Sequence, residues 1–497
     1  MMKLWPKYPF IYEINTWVWL NELGQNYGRR VDLGSVPSGE WERIARLKMD
    51  AVWLMGVWER SPAGVRIMLG QEEQLAEFHR VLGDFAPQDV AGSPYCVRRY
   101  IADEHIGGRK GLAAARKELA RRGIRLILDF VPNHTSQDHP WISDHPEYFI
   151  QGSPYDLANA PAAFFEADGK VIACGRDPFF PPWRDVAQLN AFHAGLRKAT
   201  VEAILGIGEQ CDGIRCDMAM LLTNGVFENT WGKQAGKRPD REYWVEIIEA
   251  VSRRGLDLLF IAEAYWGFEW ELQRQGFDFC YDKRLYDRLL SGTAGEVGLH
   301  LLADVGYQRK LLRFIENHDE PRAAAVFSPR RELAAALTLA TLPGAKLFQE
   351  GQIEGRKVKV PVPLGRRPPE EPQIALQDFY HRLLDAAGSD CFDDGDWKLC
   401  DRNGWPDNSS WNNILAWCWK WGEQRYLVAV NFSDHKSQAS IRVPWQDIGG
   451  AKWRLVDVLS GERFDRDGQQ MQDPGLYVDL EGWKWHFLRF FSAGMER

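Results

Sequence analysis

The sequence has no uninterrupted apolar stretch long enough to span a bilayer. Its first residues, Met1-Met2-Lys3-Leu4-Trp5-Pro6-Lys7, lack the apolar run and small-residue cleavage site of a secretory signal. There is no long basic run, and the formal net charge is -8. Both features argue against nucleic acid or an anionic membrane surface as the main partner. The eight cysteines (Cys96, Cys174, Cys211, Cys216, Cys280, Cys391, Cys400 and Cys418) show no paired metal-ligand spacing. Reduced thiols in the cytoplasm are therefore the expectation. Repeats of fixed period and low-complexity tracts are absent as well.

What is present is an ordinary globular composition, 45% hydrophobic and 26% charged, over 497 residues, enough for two or three domains and a large core. The unusual entries are 22 Trp, 15 Tyr and 25 Phe. Flat aromatic faces suit the apolar faces of sugar rings, although most such residues in a chain this long serve to fill the core.

The stretch around which the rest is organised is Gly213-Ile214-Arg215-Cys216-Asp217-Met218. It is too short for a helix, lies between the helical pattern Ala191 to Leu205 and the apolar run Met218 to Leu222, and reads as a buried strand. Side chains alternate along a strand, so Arg215 and Asp217 share a face and can touch. A guanidinium beside Asp217 favours its ionised form, which can act as a nucleophile.

Around it, apolar runs alternate with helical patterns. Strands are expected at Phe10 to Ile14, Ala51 to Met55, Ile124 to Val131, Gly213, Leu256 to Glu263, Phe277 to Cys280 (the weakest), Leu311 to Ile315 and Ala345 to Phe348. Helices are expected at Trp41 to Leu47, Gly108 to Arg122, from Ala191, Arg241 to Arg253 and Glu332 to Leu342. About eight such units match a (β/α)8 TIM barrel with insertions. The Pro-, Asp-, His- and aromatic-rich stretch from His134 to about Leu189 breaks the alternation and reads as an inserted subdomain after the third strand, residues 134–190. Beyond the barrel, residues 1–390, alternating runs such as Tyr426 to Phe432 predict a C-terminal antiparallel β-sandwich over 391–497.

In a closed parallel barrel all strands end at one mouth. Those ends carry Asp129 with Asn133-His134, Arg215 with Asp217, Glu263, and Asn317-His318-Asp319. Leu128-Asp129-Phe130-Val131-Pro132-Asn133-His134, Gly213-Ile214-Arg215-Cys216-Asp217, Ile261-Ala262-Glu263-Ala264 and Glu316-Asn317-His318-Asp319 resemble, in that order, the four signature segments of the α-amylase family of glycoside hydrolases and transglycosylases. The resemblance covers nearly the whole chain. It implies a retaining attack on α-glucosidic bonds: Asp217 as nucleophile, Glu263 as acid and then base, Asp319 holding the distorted sugar. It further implies sugar contacts from His134 and His318, stacking by Tyr95, and substrate-binding places for Arg215, Asp129, Trp266 and Arg322. Glu263 follows an apolar run, a setting expected to keep it protonated while Arg215 keeps Asp217 charged.

No cofactor is required on this reading. Asn133 matches a position that often holds calcium in the family, although one amide is a poor site for an ion that wants six to eight oxygens. Two departures stand out. Met220 and Leu221 occupy the places of a Lys-His pair found in many members, and Cys96 replaces an aspartate with which exo-acting α-glucosidases read a chain end. Asn317-His318-Asp319-Glu320-Pro321-Arg322 leans toward the oligosaccharide-cleaving side of the family. The expected activity is hydrolysis of α-1,4 bonds in malto-oligosaccharides or α-glucans. The alternatives are a glucanotransferase or sugar isomerase with the same triad, or a carbohydrate-binding scaffold that has lost catalysis.

Overall fold

A computed structural model describes residues 5–492. Eight strands form a closed barrel: β1 (Phe10–Asn15), β2 (Ala51–Met55), β3 (Arg125–Phe130), β4 (Gly213–Cys216), β5 (Leu259–Ala262), β6 (Phe279–Tyr281), β7 (Leu311–Arg313) and β8 (Ala345–Gln349). They are hydrogen-bonded in sequence order around the ring, with parallel register such as Ile214 beside Leu128 and Phe260. Parallel barrel strands are buried on both faces. This is why Ala51-Val52-Trp53-Leu54-Met55 is apolar throughout and buried throughout. All eight expected strands are present, and the weakest is short, three residues at Phe279–Tyr281.

By packing, Ile11–Tyr281 with Val358–Pro369 forms one compact unit; Asp282–Lys357 belongs with the C-terminal residues in a second. Within the second unit, the indoles of Trp417 and Trp419 donate hydrogen bonds to the hydroxyl and carbonyl of Thr341, at 3.2 and 2.7 Å, on the barrel helix Pro329–Thr341. Those bonds tie this helix, which precedes β8, to the C-terminal sheets.

Two insertions leave the barrel in the first unit. A hairpin of Trp58–Arg60 and Val97–Ala102, bearing helices Pro62–Leu69 and Glu72–Val81, follows β2. A four-stranded sheet spanning His134–Ser136, Trp183–Gln188, Lys170–Gly175 and Phe164–Ala167 follows β3, over its own small core of Ile142, Phe149, Ile172, Ala187, Leu189 and Leu196. At the C-terminus a six-stranded antiparallel sheet and a three-stranded one enclose a common core that includes Ala416, Leu427, Ile441, Val478 and Leu488. Among the described residues all eight cysteines are buried thiols, and no helix is long and apolar enough to cross a membrane.

Candidate active site

Arg215 sits on β4 between Asp129 on β3 and Ile261 on β5. Its guanidinium is fully buried, and its arms reach carboxylates from two strand ends. Nη1 is 2.6 Å from Asp217 Oδ1 and Nη2 is 2.8 Å from Glu263 Oε2. Asp129 Oδ1 lies 3.8 Å from Nη1, and Nε donates toward the Tyr281 hydroxyl at 3.3 Å. The rings of Trp53, Tyr95 and Tyr281 surround the cation with centroids 5.1 to 5.6 Å from Cζ. Burial works against the charge on Arg215, but Glu263, Tyr281, Tyr95 and Asp217 outweigh it and hold the guanidinium well above its usual range.

The turn after Asp217 is stitched to Glu263. Met218 adopts a left-handed conformation, φ 42°, unusual for a residue with a side chain. That turn aims its N–H at Glu263 Oε2, 2.5 Å away, while the Ala219 N–H donates to the Glu263 carbonyl at 3.1 Å. Glu263 therefore does not stand in the apolar setting its sequence neighbours suggest. It shares the cation with Asp217, because Arg215 is long enough to bridge two adjacent strands.

Asp129 is 1% exposed, accepts the Gly56 N–H at 3.2 Å, and with Arg215 lies beneath the acidic pair. Met220 and Leu221 are buried in the short helical turn Ala219–Leu222.

His134 is buried with its ring 5.3 Å from that of Trp183, and burial pushes its pKa down to about 4. It is thus a neutral hydrogen-bonding group near pH 7. Asn133 faces an amide in place of an ion. Its Oδ1 accepts from Gln188 Nε2 at 3.0 Å, its carbonyl accepts from the same nitrogen at 2.9 Å, and its own Nδ2 points at Gln188 Oε1 at 3.3 Å. Calcium needs several oxygen ligands with carboxylates among them. No group of three or more His, Cys, Asp or Glu side chains suited to a metal occurs among the described residues.

Beyond Glu263, Trp266 is left-handed (φ 58°) and 39% exposed, and the ring of Phe179 meets it edge to face at 4.7 Å. Phe179 comes from the inserted subdomain, where Asp177 Oδ1 accepts the N–H groups of Phe179 and Phe180. No sequence expectation included it. The signal was a doublet of aromatics flanked by prolines in Asp177-Pro178-Phe179-Phe180-Pro181-Pro182-Trp183. Tyr95 lies against Arg215, and the following Cys96 is buried with its thiol donating to the Asp185 carbonyl at 3.2 Å.

In the second unit, Asn317 Oδ1 accepts the N–H groups of Asp319 and Glu320, both at 2.9 Å, and fixes the turn that carries Asp319. His318 Nε2 is 3.0 Å from Asp319 Oδ2. Arg322 is buried, with Nη1 at 2.6 Å from Glu316 Oε1, 2.9 Å from Gln349 Oε1 and 2.9 Å from the Glu350 carbonyl. Glu316 also accepts the Ala323 N–H at 2.6 Å. Through Nη1, Arg322 ties this loop to the end of β8.

Glu332 is buried beside the Tyr380 hydroxyl, 3.4 Å away. Burial first, and the charge of Glu316 second, push its pKa up to about 7. The folded state then binds a proton more tightly than the unfolded chain, so stability is greatest at low pH and falls as pH rises from about 4.5 through 7. Glu332→Gln keeps the shape and removes the titration. Relative to the parent it is expected to melt at the same temperature at pH 5 and higher at pH 8. Identical melting at pH 8 would show that Glu332 carries no buried charge there.

Residues 42–274 match the family model described as alpha amylase, catalytic domain. The chain is 25% identical over 329 residues to the alpha-amylase MalA of Haloarcula japonica, spanning 63% of this chain and 40% of that protein. To the cyclomaltodextrin glucanotransferase of Paenibacillus macerans it is 26% identical over 238 residues, 44% of this chain and 31% of the relative. The chain thus covers less than half the length of either. Among solved structures, the noncanonic maltogenic alpha-amylase AmyB of Thermotoga neapolitana superposes with a TM-score of 0.69 at 18% identity, over 97% of this chain and 99% of that one. A likeness at that identity speaks for the fold.

Proposed function

The catalytic barrel of this chain belongs to the α-amylase family, and we propose from that premise that it cleaves α-glucosidic bonds, chiefly α-1,4, in malto-oligosaccharides or α-glucans with retention. Asp217 attacks the anomeric carbon while Glu263 passes a proton to the departing oxygen as the glycosidic bond breaks. In the second half, water gives its proton to Glu263 and its oxygen to the anomeric carbon, releasing Asp217. Asp319, set on its turn by Asn317, holds the distorted sugar through its hydroxyls.

The observation that carries this reading is the single guanidinium bridging Asp217 and Glu263. A retaining pair needs about 5 to 5.5 Å between carboxyl groups, an inverting pair about 6.5 to 9.5 Å. One planar cation spanning both favours the shorter gap. Eight cysteines held as buried thiols support a cytoplasmic location.

The exposed Phe179 and Trp266 favour a second reading, transfer to a sugar acceptor, because they offer an aromatic face on the segment that follows the proton donor in the chain. Incubation with maltotriose or maltoheptaose separates the two by product length. Hydrolysis yields only shorter chains, and transfer also yields chains longer than the substrate. No change in either sugar would overturn both.

A further inference from the structure

The C-terminal β domain carries an exposed aromatic pair that the chemistry above does not use. Along strand Leu476–Leu480, Leu476, Val478 and Leu480 point into the sandwich core while Tyr477 and Asp479 point out. Tyr477 is 49% exposed and Trp405 is 41% exposed, and their rings meet at 5.8 Å with an interplanar angle of 69°. Single exposed apolar residues are ordinary, whereas two large rings in contact and both open to water make a small aromatic face that a ligand can cover.

The surroundings say by what. Antiparallel register sets Ser440 beside Tyr477 and Asn403 beside Ser440, so one row across the sheet reads Asn403, Ser440, Tyr477. In the neighbouring row Gln438 pairs with Asp479. The Asn408 amide donates to Gln438 Oε1 at 3.0 Å, and the Gln438 amide donates to Asp479 Oδ2 at 3.4 Å. The Lys436 ammonium, 3.1 Å away, balances Asp479. The patch is an aromatic corner bordered by amides, with its charges compensated. This matches a neutral ligand that has both C–H faces and many hydroxyls.

We propose that Trp405 and Tyr477 form an α-glucan-binding site in a domain that contributes none of the catalytic candidates. The angle between the rings selects the linkage. A β-1,4-linked glucan is a flat ribbon that needs coplanar rings beneath it, whereas an α-1,4-linked chain curves and turns successive sugar faces, so two planes at 69° can each meet one. The site gives the domain a hold on chains long enough to reach both rings, and it deepens the α-glucan reading above.

The test uses the full chain carrying Asp217→Asn, to prevent cleavage, in native gels containing amylopectin or hydroxyethylcellulose. Adding Trp405→Ala or Tyr477→Ala is expected to weaken the apparent affinity for amylopectin about tenfold, the scale of one lost aromatic stack. Hydroxyethylcellulose should retard none of the forms. Trp405→Phe, the conservative control for folding, should keep most of the retardation. In the active chain Trp405→Ala should leave kcat/KM on maltotriose unchanged. Equal retardation of parent and both alanine variants, or equal retardation by the two polymers, overturns the site. Failure of the active parent to cleave any α-glucan would sink the catalytic reading while leaving the gel result standing.

Discussion

Asp217→Asn is expected to lower kcat on maltoheptaose by about four orders of magnitude or more while leaving the protein folded. The amide has the size of the carboxylate and keeps an oxygen where Arg215 Nη1 donates at 2.6 Å. The Asp217 main-chain N–H, bonded to the Phe130 carbonyl at 2.9 Å, is untouched. What is lost is the anion that bonds to the anomeric carbon, and neither Asp129, buried level with Arg215 on the neighbouring strand, nor Glu263, engaged with Met218, can take its place. Initial rates and a melting curve measured on the same preparation check both halves. Activity within tenfold of the parent would show that Asp217 is not the attacking group, and a collapsed melt would show that it acts through stability.

Much of the fold could be read because parallel barrel strands are apolar on both faces and so appear as short continuous runs. Even the three-residue strand Phe279–Tyr281 left a trace. The hairpin of Trp58–Arg60 with Val97–Ala102 left none. Val97-Arg98-Arg99-Tyr100-Ile101-Ala102 is mostly polar or exposed, and its pairing is interrupted by register shifts that no periodicity encodes.

The site divides in the same way. Period two along one strand puts Arg215 against Asp217, a local rule that needs no knowledge of neighbours. Whether Glu263 meets apolar side chains or the same guanidinium depends on how β5 lies beside β4, with Arg215 level with Ile261. The apolar run Leu258 to Ala262 buries the strand but says nothing about the residue at its end. Asn133 likewise meets Gln188 only because His134–Ser136 pairs with Trp183–Gln188, more than fifty positions away. Arg322 shows the limit of motif reading, since the same residue type can hold a sugar or hold the loop behind it, and its Nη1 is bonded to Glu316 and Gln349 in a way no motif encodes.

Arg215 is where stability and chemistry should come apart most clearly. Arg215→Ala removes the cation that pairs with both Asp217 and Glu263 and leaves buried carboxylates facing one another. Breaking a buried pair in this way costs about 3 to 5 kcal/mol, because the charge left behind has lost both water and partner. A lower melting temperature is expected, together with loss of turnover. Arg215→Lys tests the geometry alone: it returns the charge, but an ammonium is a point donor and cannot place one planar arm on each carboxylate as Nη1 and Nη2 do. The lysine variant should therefore recover most of the melting temperature and little of the kcat. If lysine restores both, the role of Arg215 is charge balance and the bridging fork is incidental. If alanine melts with the parent, the acidic pair does not depend on this cation, and the case for a closely spaced retaining pair loses its support.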